Sequence, residues 1–205
     1  NIIAVTGTNG KSSIADFYYQ ILNLSKKKVA SIGTLGVKSK NFKMNLLNTT
    51  IDPIRLSKIL NNLKKQSVDN VIMEASSHGL KQNRLDGLLF NTGIFTNLSQ
   101  DHLDYHKNLK NYLKAKLYLF EKLIKKNGNV IADKEIPQFQ KIKKITLDKK
   151  LNLYSLNSKK NNFQYLSHKF QGETQLLEIS HKSLIYKIKI NLIGKIQLKN
   201  LQMAI

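Results

Sequence analysis

The first thirteen residues constrain the possible folds more strongly than any other part of this chain. An apolar run, Ile2 to Val5, predicts a buried β-strand, and the turn Gly7-Thr8-Asn9-Gly10 leads into Lys11-Ser12-Ser13, where a helix begins. Glycine lets backbone N–H groups turn toward an anion, the helix start presents free N–H groups, and Lys11 adds a mobile positive charge. This order of elements predicts a loop that binds the phosphates of a nucleotide, with Ser12 placed to hold Mg²⁺ on them.

The same stretch departs from the general phosphate-binding pattern G-x-x-x-x-G-K-[ST]. Val5 stands where the first glycine of that pattern should be. A loop and helix start that bind no ligand therefore stay open as an alternative for this stretch taken alone.

Length and composition fit a globular enzyme with one large domain. The chain has 205 residues, of which 41% are hydrophobic. No apolar stretch approaches the roughly 20 residues of a membrane span, and no basic-then-apolar leader precedes the first strand, so we predict a cytoplasmic protein. The absence of cysteine excludes disulfides and thiolate metal sites.

The formal charge of +21 would suit a nucleic-acid binder, but the type of basic residue argues against that function. Of the 34 basic residues only Arg55 and Arg84 are arginine, whereas proteins that read bases and phosphates favour the planar fork of arginine. The lysines are also spread along the whole chain. A basic nucleotide hydrolase acting on nucleic acid remains the alternative from a different class.

Alternating strands and helices predict a parallel sheet. A helix over about Ser12 to Leu24 and a strand at 29–32 follow the opening loop, and residues 37–47 are predicted to be irregular. Asp52 with Pro53 predicts the start of a second helix that runs to about Gln66.

Polar clusters follow two further predicted strands. Val71 to Met73 is followed by Glu74 and Ser76-Ser77-His78, and Phe90 to Phe95 is followed by the polar segment 96–106. Because ligands bind at the carboxyl ends of parallel strands, these Glu, Asp and His side chains predict a metal and nucleotide site beside the loop. Capping and turn residues without a ligand are the alternative for each cluster alone.

A helix over about Asn108 to Lys125 places one lysine on its apolar face. Lys116 lies seven residues after Leu109 and four before Phe120, both of which belong to the apolar stripe. Such a lysine either extends its charged end to solvent or has a chemical role.

The last third of the chain changes character. We predict strands at 129–132 and 144–147, short antiparallel strands over 151–193, and a helix from about Gln197 to Ile205. His168 and His181 have no cluster of partners in the sequence and are expected at the surface or in packing. Because the chain begins on a core strand and ends within a helix, we expect a domain of a longer polypeptide.

Five motifs in this order resemble the central ATPase domain of the Mur ligases, over almost the whole chain. The fold implied is α/β, a P-loop-type, mostly parallel sheet flanked by helices, with a small antiparallel region near the C-terminal end. Residues 1–205 would be the central ATP-binding domain, and the UDP-binding N-terminal and amino-acid-binding C-terminal domains would lie outside it. The motifs are Thr6-Gly7-Thr8-Asn9-Gly10-Lys11-Ser12-Ser13, Asn48-Thr49-Thr50, Glu74-Ala75-Ser76-Ser77-His78, residues 96–104 and Ala115-Lys116.

The resemblance implies ATP as nucleotide, two Mg²⁺ ions and a set of catalytic residues. Lys11 would contact the β- and γ-phosphates, and Lys116 would be carbamylated by CO₂, which gives a carboxylate for the second ion. The catalytic set implied is Lys11, Glu74, His102 and Lys116. The metal ligands would be Ser12, Glu74, His102 and carbamylated Lys116, and the nucleotide would contact residues 7–13 (Gly7, Thr8, Asn9, Gly10, Lys11, Ser12 and Ser13), Asn97 and Asn200.

The resemblance also implies the substrates. The motif intervals fit best the family member that adds the third amino acid to UDP-MurNAc-L-Ala-D-Glu, through an acyl phosphate. We expect a monomer whose partners are this UDP-MurNAc-dipeptide and an amino acid, with no nucleic acid or membrane. Another Mur ligase or a folylpolyglutamate synthase is the alternative, and the sequence does not identify the amino acid. The residues implied to bind the dipeptide substrate are Asn48, Thr49, Thr50, Ser76, Gln82 and Arg84.

Overall fold

The main sheet has eight strands. A computed structural model describes residues 1–156, 163–181, 184–192 and 194–205. The strands of the main sheet in chain order are β1 (Ile2–Thr6), β2 (Val29–Gly33), β3 (Gly36–Ser39), β4 (Lys43–Met44), β5 (Asn70–Glu74), β6 (Phe90–Phe95), β7 (Ile124–Ala132) and β8 (Asn152–Ser155). Their spatial order is β4-β3-β2-β5-β1-β6-β7-β8.

A second, antiparallel sheet and the helices complete the fold. The three strands of the second sheet are β9 (Phe163–Gln171), β10 (Thr174–His181) and β11 (Leu184–Ile190), with β10 in the centre. The helices are α1 (Lys11–Leu24), α2 (Pro53–Lys65), α3 (Ser77–Lys81), α4 (Leu103–His106), α5 (Leu109–Tyr118), α6 (Phe139–Asp148) and α7 (Lys195–Ala204). A π-helical turn, Leu119–Leu123, follows α5 directly.

The first strand lies in the middle of the main sheet because it is apolar on both faces. β1 pairs in parallel with β5 on one side and with β6 on the other. Ile3, Val5 and Ile14 belong to a core on the α1 side, which also contains Met203 of α7. A larger core on the opposite face includes Phe90, Phe95 and Phe120. The carboxyl ends of β1, β2, β5 and β6 therefore meet at one edge of the sheet.

The predicted fold class is confirmed, and several local predictions are as well. Asp52 caps α2 by accepting a hydrogen bond from the backbone N–H of Arg55 at 2.9 Å, and Pro53 occupies the first helical turn. The helix predicted from Gln197 is α7.

Three local predictions are wrong. The strand predicted at 144–147 lies in α6, because Phe139, Ile142 and Thr146 recur at helical spacing and Ile142 and Thr146 are buried. Residues 37–47 are not irregular throughout, since β3 and β4 form a hairpin that extends the sheet from β2. The strand β8 was predicted to be antiparallel but pairs in parallel with β7. The predicted antiparallel strands over 151–193 are otherwise β9, β10 and β11, and residues 157–162, 182–183 and 193 lie outside the described residues.

None of the helices in the described ranges is both long and apolar enough to cross a membrane.

Candidate active site

The opening loop adopts the backbone that its glycines allow. A side chain on Gly7 would place its Cβ 1.8 Å from the Oγ1 of Thr96, so only glycine permits the loop to approach the end of β6 this closely. Gly10 has φ +88° and precedes the first residue of α1, Lys11. The loop is thus open at its helix end, where N–H groups of α1 are free to meet an anion.

The end of β6 holds the loop in place through Asn97 and Thr96. The backbone N–H of Asn9 donates to Asn97 Oδ1 at 3.0 Å, and Asn97 Nδ2 donates to the carbonyl oxygen of Asn9 at 3.2 Å. Thr96 Oγ1 donates to the same carbonyl at 2.6 Å, and the N–H of Thr8 donates to the carbonyl of Asn97 at 3.0 Å. Asn97, predicted to bind nucleotide, therefore supports the shape of the loop in this structure.

Two lysine ammonium groups meet at one carbonyl of the loop. Lys11 Nζ donates to the carbonyl oxygens of Gly7 at 3.0 Å and Thr8 at 2.8 Å. Lys116 Nζ donates to the same Gly7 oxygen at 2.7 Å and lies 4.2 Å from the centre of the Tyr112 ring. Because both contact one atom, the two nitrogens are at most about 6 Å apart, a distance at which two buried cations repel strongly.

Burial lowers the pKa values of both lysines. Lys116 is 1% exposed, and burial, with a further contribution from the Lys11 charge, lowers its pKa from 10.5 to about 7. Burial also lowers the pKa of Lys11, although Glu74 and Asp101 oppose that shift. An uncharged Lys116 amine is thus accessible near neutral pH. The lysine that the sequence places on the apolar face of α5 is therefore buried, and its charged end does not extend to solvent.

Glu74 joins the end of β5 to the loop. Its carboxylate is 3% exposed and accepts a hydrogen bond from Ser12 Oγ at 3.0 Å. Thr34, just after β2, donates to it from its backbone N–H at 2.8 Å and from its hydroxyl at 3.2 Å. The two predicted metal ligands Ser12 and Glu74 are therefore in contact, and they offer the hard oxygen donors that Mg²⁺ prefers.

His102 lies just before α4, beside Asp101. It adopts the left-handed conformation with φ +50°, is exposed, and its Nε2 is 3.5 Å from Asp101 Oδ2. Among the described residues no three His, Asp or Glu side chains are gathered closely enough to hold a metal by themselves. A metal here would need oxygens from Ser12, from a modified Lys116 or from a nucleotide.

Residues of the predicted dipeptide site surround Thr50. Thr50 Oγ1 donates to the carbonyl of Glu74 at 3.0 Å and accepts from the backbone N–H of Ser76 at 2.9 Å. Arg84 Nη1 donates to the carbonyl of Thr50 at 2.7 Å, and Ser76 Oγ caps α3 by accepting from the N–H of Gly79 at 3.1 Å. The structure therefore brings Thr50, Ser76 and Arg84 together at the end of β5.

The other members of that set lie around this centre. Thr49 Oγ1 is 3.0 Å from Thr34 Oγ1, which connects it to Glu74 through Thr34. Gln82 Nε2 donates to the hydroxyl of Tyr105 at 3.0 Å, whereas Asn48 is exposed.

The remaining predicted nucleotide residues lie along α1 and α7. The Oδ1 of Asn200 is 2.6 Å from the position that a Cβ on Gly10 would occupy, so this buried amide lies against the loop. Ser12 and Ser13 line a cavity of about 540 Å³ together with Leu35 and Gln197. The opening loop thus has an open space beside Ser12 and Ser13, and the amide of Asn200 lies against Gly10.

Sequence reasoning missed the network around Tyr112. The hydroxyl of this buried residue is 3.3 Å from Thr8 Oγ1, and its ring centre is 5.0 Å from that of His106. Ser77 Oγ lies 3.0 Å from Nε2 of His106, a fully buried residue whose pKa burial lowers to about 4. In the sequence Tyr112 was only a member of the apolar stripe of its helix, and no local signal reveals a partner more than a hundred residues away. Thr34 was also missed, although its place after a strand was a usable signal.

We expect Tyr112→Phe to loosen the loop without disturbing the core. The change removes the hydroxyl that bonds to Thr8 Oγ1, so the free energy of unfolding should fall by about 1 kcal/mol. Urea denaturation measures the effect. Tyr154→Phe, at a half-exposed position in β8, is the control and should change unfolding by less than about 0.5 kcal/mol. An unchanged free energy of unfolding in Tyr112→Phe would contradict the expectation.

The fold and the site together define a class of protein. A mostly parallel sheet carries a glycine-lysine-serine loop after its central strand, and a buried glutamate and a buried lysine converge on that loop. These are the features of a nucleotide-binding α/β domain of the phosphate-loop class.

The chain belongs to the family described as Mur ligase middle domain, whose model matches residues 5–205. This confirms the resemblance found in the sequence. The chain is 37% identical over 201 residues to a UDP-N-acetylmuramoyl-L-alanyl-D-glutamate--2,6-diaminopimelate ligase of Zymomonas mobilis, covering 98% of the chain and 41% of that protein. It is 39% identical over 207 residues to the ligase of the same name from Rickettsia bellii, covering 99% of the chain and 44% of that protein. The chain thus spans less than half the length of these relatives.

Solved structures agree with this assignment. A structure of a UDP-N-acetylmuramoyl-L-alanyl-D-glutamate--2,6-diaminopimelate ligase superposes with a TM-score of 0.85 at 27% identity, over 100% of this chain and 42% of that one. MurF from Acinetobacter baumannii superposes with a TM-score of 0.73 at 14% identity, over 100% of this chain and 41% of that one, and shows the common fold alone.

Proposed function

We propose that this protein is an ATP-dependent, ADP-forming amide-bond ligase of peptidoglycan precursor synthesis that adds 2,6-diaminopimelate to UDP-MurNAc-L-Ala-D-Glu. The names of relatives at 36% to 39% identity support the substrates. In this proposal residues 1–205 are the ATP-binding domain. A monomeric state and a cytoplasmic location are further parts of the proposal.

The observation that carries the proposal is the convergence of four side chains on the opening loop. Ser12 contacts Glu74, and Lys11 and Lys116 share the carbonyl of Gly7. The mobile cation of Lys11 and one buried carboxylate at the free N–H groups of a helix suit a polyphosphate with a bound metal better than an empty loop. Because an ATP phosphate chain accepts several donors at once, it would draw Lys11 away from the loop carbonyls and toward the β- and γ-phosphates.

The donor set fits magnesium. Ser12, Glu74 and His102 would hold Mg²⁺, and the metal would neutralise negative charge on the phosphates during transfer. Lys116 would join them as a carbamate, in which its neutral amine has bonded to the carbon of CO₂ and released one proton. The lowered pKa of Lys116, caused mainly by burial, favours the neutral amine that this modification requires.

The chain's own contribution to the reaction is alignment and charge stabilisation. An oxygen of the D-glutamyl side-chain carboxylate attacks the γ-phosphorus of ATP, the bond to the β-phosphate oxygen breaks, and ADP leaves. The amine of diaminopimelate then attacks the acyl carbon, and phosphate leaves with the bonding electrons while the amine loses a proton. Lys11 stabilises the charge that develops on the transferred phosphoryl group, and no side chain of the protein acts as a nucleophile.

The dipeptide substrate would bind beside the end of β5. Arg84 is one of two arginines in the chain, and one of its guanidinium nitrogens is already committed to the carbonyl of Thr50. Its remaining donors can meet a carboxylate or a phosphate of the substrate. Thr49, Ser76 and Gln82 would add neutral hydrogen bonds around it, and Asn48 would contact the exposed part of the ligand.

The test is a ligase assay with the complete protein. Phosphate release from ATP is measured with UDP-MurNAc-L-Ala-D-Glu present and with meso-diaminopimelate, lysine or glutamate supplied one at a time, and the product is identified by mass. We expect turnover that requires the dipeptide substrate and is fastest with diaminopimelate. Turnover with lysine and not with diaminopimelate would show that lysine is the amino acid added. Salt-sensitive ATP hydrolysis that responds to DNA and not to the dipeptide substrate would overturn the proposal.

A further inference from the structure

A partly buried ion pair fastens α7 to the end of β7. Asp133 follows β7 directly, and its side chain is 5% exposed although it is a carboxylate. Its Oδ2 accepts a hydrogen bond from Lys199 Nζ at 2.6 Å, and its Oδ1 accepts from the backbone N–H of Glu135 at 2.9 Å. Lys199 Nζ also donates to Glu135 Oε2 at 2.8 Å, on the exposed side of the pair. We call Asp133, Glu135 and Lys199 the α7 clamp.

The residue next to Lys199 in α7 is the one that lies against the nucleotide loop. Asn200 is 5% exposed, and its Oδ1 fills the space that a side chain on Gly10 would need. Its Nδ2 donates to Gln197 Oε1 at 3.2 Å, so its amide is oriented by the same helix. Any rotation of α7 about its axis would therefore move Asn200 along the loop.

Apolar packing fixes the rotation of α7 less strictly than charged hydrogen bonds do. Met203 and Ala204 attach α7 to the core that includes Ile14 of α1, but hydrophobic contacts are not directional. The start of the helix adds little, because Gly194 provides no side-chain cap. Charged hydrogen bonds with a fixed acceptor geometry are directional, and the clamp supplies them.

We propose that the α7 clamp is a positioning device for the nucleotide site, in which Asp133 and Lys199 set the rotation of α7 and so hold Asn200 against Gly10. This inference rests on the proposed function for its ligand, ATP, and on geometry alone for the positioning of the helix. Asp133 and Lys199 are positioning residues, because they act on the nucleotide through Asn200.

The first experiment compares two affinities in the complete protein. We expect Asp133→Asn to weaken binding of a non-hydrolysable ATP analogue by about tenfold, because a small displacement of a binding group has a large effect. Binding of UDP-MurNAc-dipeptide should stay within about twofold, since its proposed residues lie at the end of β5. Calorimetry at a temperature well below every variant's Tm measures both affinities.

Three further variants separate positioning from general stability. Lys199→Arg keeps a cation that reaches both carboxylates and should retain nucleotide affinity within about threefold. Glu135→Gln removes only the charge of the exposed carboxylate that contacts Lys199, and it should change nucleotide affinity by less than about twofold. Lys195→Met, at an exposed position of the same helix, is the matched control and should leave it unchanged. Nucleotide affinity that is unaltered in Asp133→Asn, or that falls in parallel with dipeptide affinity, would overturn the inference.

Hydrogen exchange of the ligand-free protein tests the clamp independently of the proposed function. We expect Asp133→Asn to speed exchange about tenfold for amides of α7 and of the first turn of α1, with α2, which packs in the core on the opposite face of the sheet, unaffected. If the wild-type protein binds no ATP analogue, the proposed function fails, but hydrogen exchange still tests whether the α7 clamp positions α7. Unchanged exchange in α7 of Asp133→Asn would refute that role of the clamp.

Discussion

Lys11→Met is expected to lower the turnover of the proposed ligase reaction about a thousandfold. The substitution keeps most of the apolar stem and removes the single mobile cation of the phosphate loop. That ammonium group is held at 3.0 Å and 2.8 Å from two loop carbonyls, which places it beside the free N–H groups of α1. Because the cation is needed most when charge builds on the transferred phosphoryl group, kcat should fall more than the affinity for ATP.

The measurement is phosphate release under saturating ATP, dipeptide and diaminopimelate, combined with calorimetric binding of the ATP analogue. Lys110→Met, at an exposed position of α5, is the control for loss of one positive charge from a very basic protein. It should retain the wild-type rate. A Lys11→Met protein that keeps more than about a tenth of wild-type turnover would show that the loop lysine does not stabilise the transition state.

Most of the main sheet could be predicted because its elements are encoded by short patterns. β1, β2, β5 and β6 are apolar runs bounded by polar residues, and Asp52-Pro53 marks the start of α2 within two positions. The wrong predictions occur where a neighbouring strand determines the structure of a segment. β3 is a strand because β2 offers its edge, and β8 is parallel because it joins β7, and neither partner can be recognised from the local sequence.

The site could be predicted in position but not in its contacts. The rule that ligands bind at the carboxyl ends of parallel strands predicted that Glu74 and the 96–106 segment would meet the loop, and Ser12 does contact Glu74. The sequence could not show that Asn97 braces Asn9 or that Asp133 pairs with Lys199, because these contacts join residues 88 and 66 positions apart. The assigned roles of the site residues in binding and catalysis stay predictions.

Lys116→Met is expected to change the pH dependence of stability and to lower the activity. In the wild-type protein burial lowers the pKa of Lys116 to about 7, whereas the unfolded chain has an ordinary lysine near 10.5. Between these values the unfolded state binds one more proton than the folded state, so wild-type stability rises with pH. Below about pH 7 the folded protein carries a buried cation, and the stability that the neutral Lys116 amine gives the wild type at higher pH is lost.

The difference in unfolding free energy between wild type and Lys116→Met isolates this group. It should move in favour of the wild type by about 2 to 3 kcal/mol between pH 7 and pH 9, at about 1.4 kcal/mol per pH unit. Urea denaturation in CO₂-depleted buffer without nucleotide measures it, because carbamylation would otherwise compete for the neutral amine. Lys114→Met, two residues away and exposed, should give a difference that does not depend on pH.

Activity gives the second half of the same prediction. Lys116→Met cannot form a carbamate, so turnover should fall about a thousandfold, and wild-type turnover should rise when bicarbonate is returned to CO₂-depleted enzyme. Intact-mass measurement under native conditions should show one added CO₂ on the wild type and none on the variant. A pH-independent stability difference would mean that Lys116 stays charged when folded. If turnover also did not depend on bicarbonate, Lys116 would serve only to hold the carbonyl of Gly7 in place. The carboxylate that the proposed carbamate supplies would then have to come from another residue.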